Sequence, residues 1–454
     1  MTFCKYWKNF RPLLAFVFFT FCLLSCKDDD DVPSEPKQLT FIAPPESLDA
    51  TGDYWAMISD AKGNLLDTVR LYATGTYTLK TPGSFNEQSV TLTLLEYHKP
   101  DSPGGKAQKF ITTYVGIPFG TYGYIDYSGA GVNALVKGSA TMFVKDLTND
   151  DANYLYRWLI GPNINGNWTA GSSGDNPGIS VQMNLTNETS SFVFTQLLDN
   201  DLYYIHGDIS VGQYLNKTIT DLKPAETKNV RVPVSDNVYV FMKGWIDSNS
   251  SKEYGECYPK LDETGTIAEI PYPGNAFTSY YTAIYAHTGD VYNDYNKSSG
   301  AIPEAMKTIS GDVSYTVDGS NIQANQPIVS DMIRYTLYDV RDSYTSWFVY
   351  TDGGKQNVTI PLFPELLIDM YDLESFDDLY KIVGFESSEV YDFADFNGYN
   401  EFMAGTQIPT PLPLGEYWVK SKQVNRNTGG RMSLKDHVKQ CRRLLGMNSR
   451  KNGR

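Results

Sequence analysis

The sequence predicts a mainly β protein: tandem immunoglobulin-like or β-sandwich domains with one short helix near the C-terminus. Three observations predict it. Residues that favour strands and turns dominate, with 33 Tyr and 37 Gly among 454 residues, whereas charged residues make up only 20%. Apolar and β-branched residues alternate with polar ones over short runs. Turn-forming residues recur at intervals of roughly ten residues, a spacing that suits the strands of a sandwich.

The N-terminus reads first as an address. Lys5, Lys8 and Arg11 form a positive region, and the apolar run Pro12–Leu24 follows it. Such a run fits the core of a secretory signal peptide and falls short of the roughly 20 residues that a membrane-spanning helix needs. Leu23-Leu24-Ser25-Cys26 resembles the bacterial lipobox, in which the cysteine sulfur is lipidated before cleavage makes it the first residue of the mature chain. Lys27-Asp28-Asp29-Asp30-Asp31 comes next, and an acidic run there resembles the lipoprotein export signal of Bacteroidota. The resemblance ends at Asp31. It implies a surface-exposed outer-membrane lipoprotein: residues 1–25 are removed, acyl chains such as palmitate on Cys26 hold the chain in the membrane, and the body faces the extracellular side. A single acyl chain binds a membrane only marginally, so a triacylated cysteine is the physically sufficient anchor. Residues 26–38 then form a lipidated tether, stiffened by Pro33 and Pro36.

The body divides, on its turn-rich stretches, into a β-sandwich domain over 39–148, a second over 149–270 and a β-rich third over 271–424. In the first, Tyr54–Ser59, a glycine-containing turn and Leu65–Leu71 read as a hairpin, followed by strands at Gly75–Leu79 and Ser89–Tyr97. In the second, strands are expected at Tyr154–Ile160, Ile179–Asn184, Ser191–Leu197, Leu202–Ile205, Val230–Val234, Val238–Gly244 and Ile267–Ile270. The glycine- and asparagine-rich residues 161–178 read as one long loop. In the third, strands fall at 279–286, 311–317, 332–339, 345–351, 356–361 and Gly415–Lys420. A helix opens at Ser375, carries Phe376, Leu379, Ile382 and Val383 on one face and stops at Gly384. Trp347–Asp352 echoes Trp55–Asp60, either as a trace of repeated domains or by chance. Residues 425–454 form a basic tail.

Charge restricts the partners. The chain carries −15, yet Lys420–Arg454 holds eleven Lys/Arg against Asp436, a net +10 that leaves −25 on the rest. So acidic a body repels nucleic acid. The tail can touch anionic lipopolysaccharide through Arg442, Arg443, Arg450 and Lys451, or stand as a plain solvated terminus. Past the tether only Cys257 and Cys441 remain, which makes no disulfide framework.

Candidate sites are few. His98, His206, His287 and His437 form no local zinc pattern, and the chain has no nucleophile elbow, P-loop or dinucleotide fingerprint. A glycosidase needs only two carboxylates some 5–10 Å apart, with no fixed sequence spacing, so catalytic residues stay unassigned. Residues 364–402 hold eleven acids and one Lys; within them Asp392, Asp395 and Asn397 place oxygen ligands beside Gly398 and could supply part of a calcium site, or a solvated acidic face. No other cofactor is expected. Trp55, Trp158, Trp245, Trp347 and Trp418 sit in apolar alternation and read as core. Trp168 lies in a polar stretch with Asn165 and Asn167, which makes it the first candidate for a ligand platform. Asp67-Thr68-Val69 resembles the short O-glycosylation sequon of Bacteroidota, which implies a glycan on Thr68.

The leading expectation is a non-catalytic cell-surface lipoprotein that binds glycan or another extracellular polymer. The alternatives are a structural or adhesive surface protein of pilus-like or partner-binding type, and an exported glycoside hydrolase. The anchor has its own test: Cys26→Ala should end palmitate labelling and shift the protein from the detergent phase to the aqueous phase in a phase-separation assay. Labelling retained by that variant would remove the lipobox reading.

Overall fold

The computed structural model describes residues 35–43, 52–100, 105, 107–123, 135–147, 158–161, 163–172, 177–198, 201–247, 250–257, 260–297, 300–311, 313–318, 321–324, 329–339, 345–355, 357–361, 363–371, 383–404 and 416–423. The fold is mainly β, with several sheets and few helices, as the composition predicts.

Its largest element is a sheet of twelve strands. From one end the order is Ser250–Cys257, Asn237–Asp247, Ser279–Thr288, Val291–Lys297, Tyr417–Gln423 and Val383–Phe393. It continues through Met332–Asp339, Thr345–Asp352, Gln108–Pro118, Ser89–His98 and Gly52–Ser59 to Leu65–Leu71. Neighbours are antiparallel except where Thr345–Asp352 meets Gln108–Pro118 in parallel, Thr345 opposite Lys109 and Tyr350 opposite Tyr114. The C-terminal strand lies inside this sheet, antiparallel to Val291–Lys297 on one side and to Val383–Phe393 on the other.

Successive side chains of a strand point to opposite faces, so a sheet covered on both sides needs apolar residues at every position. Gly52–Ser59 shows this. Ala56 and Ile58 pack on one face with Leu92, Leu94 and Tyr114, beneath Leu39, Phe41 and Leu79 of a small sheet formed by Gly75–Lys80, Gln38–Ala43 and Thr121–Gly123. Phe402 and Met403 of the short helix Tyr399–Ala404 complete that core. Met57 points the other way, with Leu95, Ile111, Trp347 and Leu337, under Ile322 and Val358 of a second small sheet and Leu367 and Tyr371 of the helix Glu365–Tyr371. Farther along, Val240, Met242 and Ile284 pack against Val230, Ala268 and Ile270 of a third small sheet.

A separate sandwich lies between these in sequence. The sheet ordered Ile164–Ser172, Gly178–Leu185, Gly138–Lys145, Tyr214–Thr218 faces the sheet ordered Lys223–Pro224, Asp201–Ser210, Thr189–Leu198, Trp158–Ile160. Met142, Val181, Met183, Phe192, Phe194 and Ile205 fill the space between them.

The structure corrects several expectations. Much of residues 161–178 is not a loop: Ile164–Ser172 is an edge strand with a bulge between Ile164 and Asn167. Its backbone pairs with Gly178–Leu185, and this long-range pairing outweighs the weak strand preference of Gly and Asn. Val383 begins a strand instead of ending a helix, and the rest of the expected 375–384 helix before it lies outside the described residues. The helices described are Glu365–Tyr371 and Tyr399–Ala404. Separately, Asn237–Asp247 pairs with Ser279–Thr288, and Thr345–Asp352 with Gln108–Pro118. The Trp55 and Trp347 echoes prove alike locally: each strand ends in an Asp whose carboxylate accepts backbone N–H groups of the following turn, from Lys62 and Asn64 at Asp60 and from Gly354 at Asp352.

Phe402 is fully buried and stacks on Phe393 with ring centroids 4.4 Å apart. Phe402→Ala should therefore lower stability by about 3–5 kcal/mol, read from the midpoint of urea unfolding. A loss below about 1 kcal/mol would mean that this helix does not belong to the core.

Candidate functional site

The end of the large sheet carries a cluster of aromatic and charged side chains. Leu65–Leu71 is the last strand, and the turn Tyr72-Ala73-Thr74 leads from it to Gly75–Lys80 in the covering sheet. Tyr77 pins that turn: its phenol oxygen accepts the N–H groups of Tyr72 at 3.2 Å and Ala73 at 3.0 Å and donates to the Ala73 carbonyl at 2.6 Å. Tyr72 is thereby held with 73% of its surface exposed, edge-on to Tyr77.

Arg70 stands directly opposite Trp55 across the antiparallel pair. Its guanidinium forms a salt bridge with Asp53 and lies 5.9 Å from the Trp55 ring centroid and 6.0 Å from that of Tyr72. Guanidinium groups at such distances are attracted to aromatic faces. The hydrogen bond to Asp53 raises the Arg70 pKa above its ordinary value. Beneath, Trp55 Nε1 donates to the Tyr371 hydroxyl at 2.8 Å. Burial pushes the Tyr371 phenol up, with the Trp55 N–H working in the opposite direction. Tyr97 packs on Tyr371 at 4.7 Å. Arg70 is thus held by its pair with Asp53 and by the Trp55 ring, whose indole N–H is in turn fixed by Tyr371.

The expected site residues are scattered relative to this cluster. Trp168 stands in the edge strand opposite Gln182, and Asn167 opposite Met183; their side chains lie outside the described residues. Asn165 is exposed at the bulge. Thr68 is exposed on the same face as Arg70, two positions along the end strand, and its hydroxyl donates to the Ala56 carbonyl at 3.3 Å. Cys26, Lys27, Asp28, Asp29, Asp30 and Asp31 lie outside the described residues. Among the histidines, His98 sits between Tyr54 and Phe110, His206 stacks on Tyr204 and His287 on Tyr292, while His437 is outside the described residues. Trp55, expected in the core, is only half-buried at the rim of the sheet.

Asp392 is hydrogen-bonded to Asp331. It lies at the end of Val383–Phe393 beside Asp331, whose backbone N–H donates to Asp392 Oδ1 at 3.2 Å, and the Phe393 N–H donates to Asp331 Oδ2 at 2.9 Å. Asp395 and Asn397 are exposed, and the Asn397 N–H donates to Glu401 at 2.8 Å. Among the described residues, no group of three or more His, Cys, Asp or Glu could hold a metal ion. Burial, and then the neighbouring Asp331 carboxylate, raise the Asp392 pKa.

No family model matches the chain, and no curated protein matches it. Among solved structures, it is similar to one described as structural insight into host cell surface retention of a 1.5-MDa bacterial ice-binding adhesin, at 8% identity and a TM-score of 0.11, over 55% of this chain and 88% of that one. A tetra-tandem repeat in the extending region of a large adhesion protein gives 7% and 0.11, over 78% and 95%. A putative adhesin from Bacteroides thetaiotaomicron gives 11% and 0.10, over 56% and 78%. At such TM-scores these likenesses carry no argument about what the chain does.

The Asp392 environment sets a pH dependence. A carboxyl whose folded pKa is raised favours the protonated fold; that stability is complete below the unfolded value of about 3.9 and is lost as pH rises through the folded value. Asp392→Asn keeps an acceptor for Asp331 and removes the charge. It should raise the melting temperature at pH 7 and leave it unchanged near pH 3, checked by paired thermal melts. A lower melting temperature at pH 7 would show that the charged form is the one the fold prefers.

Proposed function

We propose that this chain is a lipid-anchored surface protein that captures an extracellular glycan without chemical turnover, and that Tyr72, Arg70 and Trp55 form its platform. The observation that carries this reading is the exposed Tyr72 ring, set on a turn pinned by Tyr77 beside the Arg70–Asp53 pair. Recognition sites combine aromatic surface with a few fixed polar groups, and Tyr, Trp and Arg are the residues in which binding energy concentrates. Groups already fixed before the ligand arrives lose little freedom on binding, which raises affinity. A pyranose ring has an apolar C–H face that suits a phenol ring and a rim of hydroxyls that suits a carboxylate beside a guanidinium.

The lipobox-like Leu23–Cys26 and the acidic run after it support anchoring through Cys26 at the outer face of the outer membrane. The tether then runs into Gln38–Ala43, which pairs with Gly75–Lys80, Phe41 opposite Tyr77. The strand after the tether and the strand that follows the Tyr72 turn thus lie side by side.

Binding of the mature chain to a broad glycan panel tests the reading. We expect saturable binding without product, weakened about tenfold or more by Tyr72→Ala and unaffected by Tyr214→Ala, an exposed tyrosine of the Tyr214–Thr218 strand. A blank panel, or equal binding by Tyr72→Ala, would overturn it.

A further inference from the structure

We infer that the platform selects neutral hexopyranose chains with equatorial neighbouring hydroxyls over anionic, uronate-type polymers. The inference rests on the glycan-capture reading above and adds the chemical class of ligand.

Charge is the first argument. An exposed arginine beside two aromatic rings would ordinarily invite an anion, yet Arg70 already has its counter-charge in Asp53. Asp53 in turn has a side chain only 19% exposed. A uronate that took Arg70 would have to displace Asp53, leave a partly buried carboxylate without its cation and sit beside that same negative charge. Removing one partner of a hydrogen-bonded charge pair is costly, and so is bringing like charges together. The wider field points the same way, because −25 resides on the chain outside the Lys420–Arg454 segment. A polyanion is repelled before it arrives.

Hydrogen bonding is the second argument. An ionised carboxylate only accepts, and a guanidinium only donates, through five N–H groups. Paired with each other, Asp53 and Arg70 still have unused capacity at their exposed edges, with side-chain exposures of 19% and 43%. They therefore present an acceptor and a donor side by side. Two hydroxyls on adjacent ring carbons match that pair: one donates to Asp53, and its neighbour accepts from Arg70. Neither needs to break the salt bridge.

Shape is the third. The guanidinium carbon lies 6.0 Å from the Tyr72 ring centroid. A sugar stacked on Tyr72 brings its hydroxyl rim to the Arg70–Asp53 pair. Stacking requires a flat C–H face, which an all-equatorial hexopyranose has and which an axial hydroxyl interrupts. Trp55, turned inward by its bond to Tyr371, supports Arg70 from the other side.

Cellohexaose and its C6-oxidised glucuronan counterpart share a linkage and differ by one carboxylate per ring, which makes them the discriminating probes. We expect the mature chain to bind the neutral oligosaccharide about tenfold or more tightly, with an affinity that hardly changes between low and high salt. Asp53→Asn should narrow the gap by gaining uronate affinity, and a salt titration of the unmodified chain provides a second measurement that needs no variant to fold. Equal or tighter uronate binding, or affinity that falls steeply with salt, would overturn the inference while leaving glycan capture standing. So would binding elsewhere in the panel but to neither probe. A panel blank throughout would overturn the capture reading itself.

Discussion

The strand that ends the described chain, Tyr417–Gln423, lies between Val291–Lys297 and Val383–Phe393, and the twelve-stranded sheet is continuous only because it is there. An interior strand must pair both rows of its backbone donors and acceptors, and buried groups left unpaired are costly. Without it, two strand edges would face each other open, each a template for another chain. Its side chains serve different cores on its two faces: Tyr417 and Val419 join the core under the Gln38–Ala43 sheet, while Trp418 packs toward Ile309 and Val313. Lys307 fixes that second side, lying 4.6 Å from the Trp418 ring and 2.6 Å from Glu416, which also accepts from Tyr295. Completion of the sheet thus waits on residues 417–423, far along the chain from several of its other strands, and such long-range pairing slows folding.

Continuity of the sheet imposes a second demand, that both faces be covered. Some interior polar groups satisfy one another. Thr93 and Thr113 bond across neighbouring strands at 3.0 Å, and Trp347 Nε1 donates to Thr113 at 3.0 Å, in the middle of an apolar layer. The opposite case is an edge. Asp67 accepts the Lys80 N–H at 2.7 Å and so occupies a backbone donor at the rim of the covering sheet that would otherwise be open to strand addition.

Local pattern made the strands legible where alternation or β-branched runs were strong. Met332–Asp339 matches its expected bounds, and Gly52–Ser59, Leu65–Leu71 and Ser89–His98 come within two residues of theirs. The pairing between distant strands was not legible, because nothing near Thr345 indicates that its strand will lie beside Gln108–Pro118. The Ile164–Ser172 strand was hidden for a related reason: Asn165, Gly166 and Asn167 carry turn preferences that only the partner strand overrides. Val383–Phe393 was hidden by acids that, in isolation, read as a solvated helix and loop.

The platform itself shows why sequence alone pointed to Trp168 instead of Trp55. Trp55 belongs to a row that crosses six strands, Arg70–Trp55–Leu95–Ile111–Trp347–Leu337, each residue opposite the next. Leu95, Ile111, Trp347 and Leu337 are fully buried, and Arg70 is exposed. The row is one physical object, a core layer that emerges at the end of the sheet. Near where it emerges, Trp55 bonds Tyr371 of the Glu365–Tyr371 helix, 316 residues away in sequence. From sequence, Trp55 has the neighbours of a core residue, and along the row it is one. Only its place at the end of the sheet makes it the base over which Arg70, beside the exposed Tyr72, lies.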